Sequence, residues 1–168
     1  MAIKSFLQFI AEEKKTLKIV MLDATSETQQ KMLVWCKENG FDITKNYQGG
    51  TVDEFKFHLT VVCSNNEVTT VDAKHEIPPI ELDPTKFEAL GDEKNIPTLC
   101  LGTNEKLDAI RNYFVEVEGM KPTYAEFKPH LSLSYNWAGE PDLKDLKLPT
   151  FKITFDVLKV KTFIPKET

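Results

Sequence analysis

The chain contains the same short string twice, and this repeat restricts the fold more than any other feature of the sequence. Residues 55–61 read Phe-Lys-Phe-His-Leu-Thr-Val, and residues 127–133 read Phe-Lys-Pro-His-Leu-Ser-Leu. Each string follows a strand, a helix and a loop, so the order strand, helix, loop, strand occurs once in each half. We therefore expect two similar lobes related by a pseudo-twofold axis.

Both copies are embedded in a pattern of short apolar runs separated by turn residues. These runs predict strands at 17–23, 55–64, 67–73, 79–91, 98–102, 128–135 and 151–163. Residues 41–54 form a loop longer than is usual between two elements, which is typical of a functional segment. Residues 3–13 have the spacing of a short amphipathic helix, so we expect residues 1–16 to dock on the body of one domain that spans residues 1–168.

Two longer helices are predicted, one in each half. The first has a capping-box variant formed by Ser26 and Gln29 and stops at Asn39-Gly40. The second is capped by Asn104 and ends before Gly119. The expected inner faces are Met32, Leu33, Trp35 and Cys36 in the first helix and Leu107, Ile110, Phe114 and Val117 in the second.

The repeated strings place polar side chains at alternate positions. Because alternate residues of a strand share a face, one face carries Lys56, His58 and Thr60 in the first copy and Lys128, His130 and Ser132 in the second. A histidine and a hydroxyl two residues apart lie about 7 Å apart along a strand, close enough to contact one phosphate. Two such pairs facing each other across a groove would surround a phosphodiester.

This arrangement suits metal-independent cleavage of a phosphodiester. One imidazole removes a proton from the nucleophile and the other protonates the departing oxygen, while the hydroxyls and nearby lysines hold the non-bridging oxygens. Histidine fits both roles because its ordinary pKa of about 6.5 allows one copy to be neutral and the other charged. The sequence leaves open which histidine is the acid and which is the base.

Other uses of these residues have less support. The repeat supplies two histidines but no third ligand at zinc spacing, and there is no G-x-S-x-G elbow for a serine nucleophile. No metal or other cofactor is therefore expected. His75 has no comparable context and is expected to lie at the surface. The three cysteines, Cys36, Cys63 and Cys100, are far apart among apolar neighbours and are expected to be reduced, buried and inert.

The charge balance bears on partners and location. With 21 basic and 26 acidic residues the net charge is −5, which opposes binding to duplex nucleic acid but allows a small anionic ligand. No apolar run approaches the roughly 20 residues of a membrane helix, and no signal peptide is evident, so the sequence predicts a cytoplasmic location without a membrane partner. Nothing implies an obligate protein partner.

The paired His-Leu-Thr and His-Leu-Ser triplets resemble those of the two-histidine (2H) phosphoesterase superfamily. The resemblance spans residues 17 to about 164 and implies an α+β, bilobal, LigT-like fold, with antiparallel sheets lining a central cleft and helices outside. It implies that His58 and His130 are the catalytic pair and that Thr60 and Ser132 bind phosphate. Within this superfamily the chain is most similar to the phage anti-CBASS phosphodiesterases that destroy cyclic oligonucleotide signals, which places it in the host bacterial cytoplasm.

Enzymes of that group are thought to clamp nucleobases between aromatic side chains, and three residues are candidates for this role. Trp137 follows the second histidine strand, Tyr124 precedes it, and Tyr47 lies in the long first loop. Trp35 is expected in the core, and Glu140 is a candidate for reading an amino group of a base.

Three functions remain open from the sequence. The leading hypothesis is hydrolysis of cyclic di- or trinucleotide messengers, by which a phage evades host defence. The second is the same chemistry on 2′,3′-cyclic phosphate ends or 2′-5′ linkages of RNA. The third is a non-catalytic sponge that binds cyclic nucleotides in the same groove.

Overall fold

The computed structural model describes residues 17–124 and 126–163, and the predicted helix at residues 3–13 lies outside them. The strands are β1 (Leu17–Ala24), β2 (His58–Cys63), β3 (Ala73–Leu82), β4 (Pro84–Leu90), β5 (Ile96–Leu101), β6 (His130–Ser132) and β7 (Ile153–Phe163). The α-helices are α1 (Ser26–Glu38) and α2 (Glu105–Asn112). Neither helix of the described ranges is long and apolar enough to cross a membrane.

The strands form two antiparallel sheets, as expected for an α+β fold. The first sheet has the order β2-β1-β7-β3, and the second has the order β4-β5-β6. In both sheets the histidine strand lies at an edge and pairs with the strand that precedes the helix of its own half. The two edge strands, β2 and β6, also approach each other, with Cα atoms within 8 Å. This architecture is compatible with the predicted bilobal arrangement.

Helix α1 begins with a different cap from the one predicted. Thr25 is the N-cap, and its hydroxyl accepts a hydrogen bond from the Thr28 N–H at 3.2 Å. The capping box of Ser26 and Gln29 is therefore wrong, because the Gln29 side chain turns inward instead of back to the helix start. The stop after the helix is confirmed, since Gly40 has a φ of +84° that favours glycine.

Helix α2 is capped by the side chain of Asn104, as predicted, which accepts a hydrogen bond from Leu107 N–H at 2.9 Å. The α-helix gives way to a π-helical turn at Tyr113–Val117. Because a π-turn has a wider hydrogen-bond ring, it changes the helical spacing, so that Phe114 stays buried while Val117 is exposed. The prediction that Val117 lies on the inner face is wrong.

The region between β2 and β5 also differs from its prediction. The predicted strand at 67–73 is mostly irregular, and β3 begins only at Ala73. Strand β3 contains Pro78 and Pro79 and has a register shift against β7 between Glu76 and Ile80. An edge strand tolerates prolines because its outer backbone groups need no partner strand.

A continuous core fills the space behind both sheets. Its largest fully buried side chains include Leu22, Met32, Leu59, Leu99, Leu131, Leu133, Ile153 and Phe155.

All three cysteines are free thiols: Cys36 and Cys100 are buried as predicted, whereas Cys63 is only half-buried. Burial raises the pKa of all three thiols, in Cys36 to about 12, which keeps them protonated and poorly nucleophilic. Trp35, predicted to lie in the core, is half-buried and packs against the core by stacking on Phe41 and Phe87.

Candidate functional site

The repeated strings adopt the alternation that the sequence predicts, although the strands are shorter. Phe57, Leu59 and Val61 are buried, whereas His58 and Thr60 are half-buried on the other face. The second copy is alike, with Leu131 and Leu133 buried on one face. Regular pairing begins at each histidine, not at 55 or 128 as predicted. The lysines of the two strings therefore precede the strands.

The two histidine strands have matching cross-strand neighbours in their sheets. His58 pairs with Asp23 of β1, and His130 pairs with Cys100 of β5. The next rows match as well, since Thr60 pairs with Met21 and Ser132 with Thr98. The two hydroxyl-histidine pairs thus occupy equivalent places on adjacent edge strands. We call His58, Thr60, His130 and Ser132 the histidine site.

Both imidazole rings are held by the same local hydrogen bond. The Nδ1 atom of His130 lies 2.7 Å from the carbonyl oxygen of Lys128. The ring of His58 likewise bonds to the backbone of Lys56, two residues earlier. A ring nitrogen that donates to a carbonyl fixes the tautomer and leaves the other nitrogen available for proton transfer. The sequence analysis did not predict this hydrogen bond.

The environment of His58 favours its neutral form. Burial is the largest effect and lowers the pKa of His58, and positive charge on Lys161 and His130 lowers it further. The carboxylate of Asp23 and the bond to the Lys56 backbone oppose this, without reversing the direction. The charge of His130 acts on His58, and β2 and β6 approach each other with Cα atoms within 8 Å, so the two rings lie on neighbouring strands.

The segment leading into β2 is fastened by Gln29 of α1. The Gln29 side chain is buried, donates to the carbonyl of Phe55 at 2.6 Å and accepts from the Phe57 N–H at 2.9 Å. It also donates to the Glu54 carboxylate at 3.1 Å. One helical side chain therefore sets the backbone immediately before His58, a role missed because Gln29 was assigned to the helix cap.

The long loop after α1 is tied to the segment after β6. The hydroxyl of Ser134 donates to the carbonyl of Asp42 at 2.6 Å, and the Asn136 side chain donates to the Asp42 carboxylate at 2.7 Å. The loop itself closes through a bridge between Lys45 and Thr51. This connection joins the first half of the chain to the second beside the histidine site.

The two lysines of the repeated strings make ion pairs with nearby carboxylates. Lys56 lies 3.4 Å from Glu54, and Lys128 lies 3.6 Å from Glu88. Both pairs are solvent-accessible and weak, so a bound phosphate competes with the carboxylates for the ammonium groups. Each lysine lies two residues before the histidine of its string.

Of the three candidate aromatic residues, Tyr47 has the clearest link to the site. Its exposed ring makes an edge contact with Tyr135 at 5.9 Å between centroids. Tyr135 in turn receives a hydrogen bond from the side chain of Ser132, while burial raises the pKa of its phenol. The sequence analysis missed Tyr135, although its position three residues after Ser132 placed it near the second histidine strand.

The other two aromatic candidates are placed less directly. Trp137 is half-buried, and its indole N–H donates to the Pro141 carbonyl at 2.9 Å. Tyr124 is 76% exposed and follows Thr123, which bonds to Cys63 at the end of β2 opposite His58. Tyr124 therefore lies next to a residue held at the Cys63 end of β2, and its contact with a base stays a prediction. His75 is exposed, as predicted.

Charged residues on β1 and β7 were also missed. Asp23 makes an ion pair of 2.6 Å with Lys159, and Lys159 pairs with Met21 in the row that contains Thr60. The alternation of Lys159 and Lys161 in the last strand was the signal in the sequence that pointed to this face. Over residues 17–124 and 126–163, no group of three His, Cys, Asp or Glu residues has the geometry to hold a metal ion.

An open depression of about 740 Å³ runs along α1 and residues 147–151. It contains none of the residues of the histidine site and no histidine at all. The candidate site is therefore assigned to β2 and β6 from the positions of His58 and His130, and not from the shape of the surface.

Comparison with known families identifies the family of this chain. The model of the family described as anti-CBASS protein Acb1 matches residues 19–161, which include most of β1, both histidine strands and most of β7. A search of curated proteins finds no match. Because the family match covers most of the chain and both copies of the repeat, the chain belongs to the anti-CBASS protein Acb1 family.

Proposed function

We propose that this protein is a metal-independent phosphodiesterase that hydrolyses cyclic di- or trinucleotide messengers and so allows a phage to evade CBASS defence. One observation carries the proposal: His58 and His130 lie on neighbouring edge strands. Each ring makes a hydrogen bond to the backbone of the lysine two residues before it. Membership of the anti-CBASS family supports the biological role. A protein that only bound the messenger would not need two proton-transfer groups.

The charges around the rings suggest their roles. His58 is the better general base, because its lowered pKa leaves it neutral near pH 7 and able to accept a proton from the nucleophile. His130 then acts as the acid that protonates the departing oxygen. Thr60 and Ser132 donate to the non-bridging oxygens, and Lys56 and Lys128 balance the charge that develops on phosphorus oxygens.

The bases of the messenger need an aromatic surface beside the phosphate. Tyr47 is the best placed candidate, since Tyr135 links it to Ser132. Stacking of a base on an exposed ring is worth about 1–3 kcal/mol and depends little on base identity. Trp137 remains a second candidate for such a contact.

The test is a product assay in excess EDTA. The wild type and the His58→Ala/His130→Ala double variant each receive cyclic GMP-AMP, cyclic tri-AMP, 2′,3′-cyclic AMP and 2′-5′ oligoadenylate in separate reactions. We expect rapid opening of the cyclic oligonucleotides by the wild type alone. Preference for the last two substrates would assign the protein to RNA metabolism, and tight binding without product would make it a sponge.

The Asp23 carboxylate offers a test of the role of His58. Asp23 raises the pKa of His58, so Asp23→Asn is expected to lower that pKa further, and it also frees the positive charge of Lys159. If His58 is the base, kcat/KM falls as pH drops through its pKa, and the variant moves this acidic limb to lower pH. The pH dependence of kcat/KM for both proteins measures the shift. Movement of the alkaline limb instead would assign His58 as the acid.

A further inference from the structure

The face of the first sheet that carries His58 and Thr60 also carries cations from β7. Lys159 pairs with Met21, and Lys161 pairs with Ile19, two residues along the same strand. Directly paired residues of an antiparallel sheet point to the same face, and so do alternate residues of one strand. Lys159 therefore extends the row of Thr60 across the sheet, and Lys161 extends the next row, which contains Ile19 and Cys63.

The two lysines differ in whether an ion pair neutralises their charge. Lys159 is half-buried and makes an ion pair with Asp23 at 2.6 Å. Lys161 is exposed and makes no ion pair with any residue of 17–124 or 126–163. Glu76, another carboxylate of this face, lies on β3 opposite Val157. Within the described part of the chain, Lys161 is therefore a cation that keeps its charge available to a ligand.

Lys161 lies on the face of His58 and Thr60, one row beyond the row of Thr60. Its charge acts on the imidazole of His58. The second sheet differs: Glu88 occupies the place of Lys159 in the row of Ser132, and Leu90 pairs with Ile96 where Lys161 pairs with Ile19. The lysine on that face of the second sheet, Lys86, pairs with Cys100 in the row of His130. A lysine one row beyond the hydroxyl row is therefore found on the first sheet and has no counterpart on the second, in a protein whose net charge is −5.

We propose that Lys161 binds a second phosphodiester of the substrate while the scissile phosphodiester lies between His58 and His130. The inference rests on the proposed function and names the feature that selects cyclic oligonucleotides over compounds with a single phosphate. A cyclic dinucleotide has two phosphodiesters, of which one at a time is cleaved. The other needs a positive partner away from the proton-transfer groups, and a lysine ammonium has three donors on a long flexible stem.

The experiment compares the wild type with Lys161→Gln, and with Lys37→Gln as a control that removes the same charge from the exposed face of α1. We measure kcat and KM for cyclic GMP-AMP, its Kd by calorimetry, and the inhibition constant of AMP, which has one phosphate. For Lys161→Gln we expect KM and Kd to rise about 10-fold, as for the loss of a charge-assisted hydrogen bond. We expect kcat and the inhibition constant of AMP to change less than about 3-fold.

The outcomes separate this inference from the proposed function. If the wild type opens cyclic GMP-AMP but Lys161→Gln keeps its KM and Kd, the second-phosphate site is wrong and the proposed function stands. An equal weakening of AMP and cyclic GMP-AMP also overturns the inference, because Lys161 would then act at the scissile phosphate. If the wild type makes no product, the proposed function fails, and the Kd values alone decide the role of Lys161.

Discussion

Replacement of either His58 or His130 with alanine is expected to lower kcat for cyclic GMP-AMP by at least about 10²-fold, which is the usual scale for loss of a general acid or base. The two rings act in one proton-transfer sequence, so the double variant should lose little more than the worse of the single variants. Both rings are half-buried and bond only to local backbone, so we expect the fold to survive. Initial rates of product formation measure the effect.

Three control variants make the result specific. His75→Ala removes an exposed histidine outside the site and should keep the wild-type rate. Thr60→Ala and Ser132→Ala should each cost less than a histidine variant, because the remaining hydroxyl and the lysines still donate to the phosphate. The thermal unfolding midpoint of every variant is measured alongside. Full activity in both folded histidine variants would contradict the proposed function.

Replacement of Gln29 with methionine is expected to lower the free energy of unfolding by about 2–4 kcal/mol, because the Phe55 carbonyl and the Phe57 N–H lose their partner in a buried setting. Methionine keeps the length and volume of the side chain, so packing changes little. The same loss releases the backbone before His58, and we expect kcat to fall about 10-fold through a displaced imidazole.

Gln30→Met is the matched control for this effect, since Gln30 is the exposed neighbour of Gln29 on the same helix. It should leave stability and kcat close to those of the wild type. Urea denaturation measures the free energy, and rates are compared well below the unfolding transition. A Gln29→Met protein with unchanged stability and rate would show that β2 is held by its strand pairing alone.

The histidine site was predictable because its signal is a repeated string with alternating burial. The spacing of His58 and Thr60 assigned both to one face, and the second copy supplied the partner pair. The stop of α1 at Gly40 and the start of α2 after Asn104 were predictable for a different reason, because local backbone chemistry determines both.

The features that the sequence does not predict depend on contacts between distant segments. Nothing near Gln29 in the sequence indicates that its side chain bonds to Phe55 and Phe57, more than 20 residues later. The neighbour of each histidine, Asp23 or Cys100, depends on strand register. The exposure of Val117 depends on a π-helical turn that replaces regular helical spacing.

The position of both histidine strands at sheet edges has a consequence for how such proteins diverge. Because β2 and β6 belong to different sheets, no shared ladder of hydrogen bonds fixes the distance between His58 and His130. The contacts between the two halves of the chain include the hydrogen bonds of Asp42 with Ser134 and Asn136, which we call the Asp42 clasp. Substitutions or length changes in that clasp can widen or narrow the site without disturbing either hydrogen-bonded ladder. Under the proposed function, such changes would alter the ring size of the messenger that fits while leaving both histidines in place.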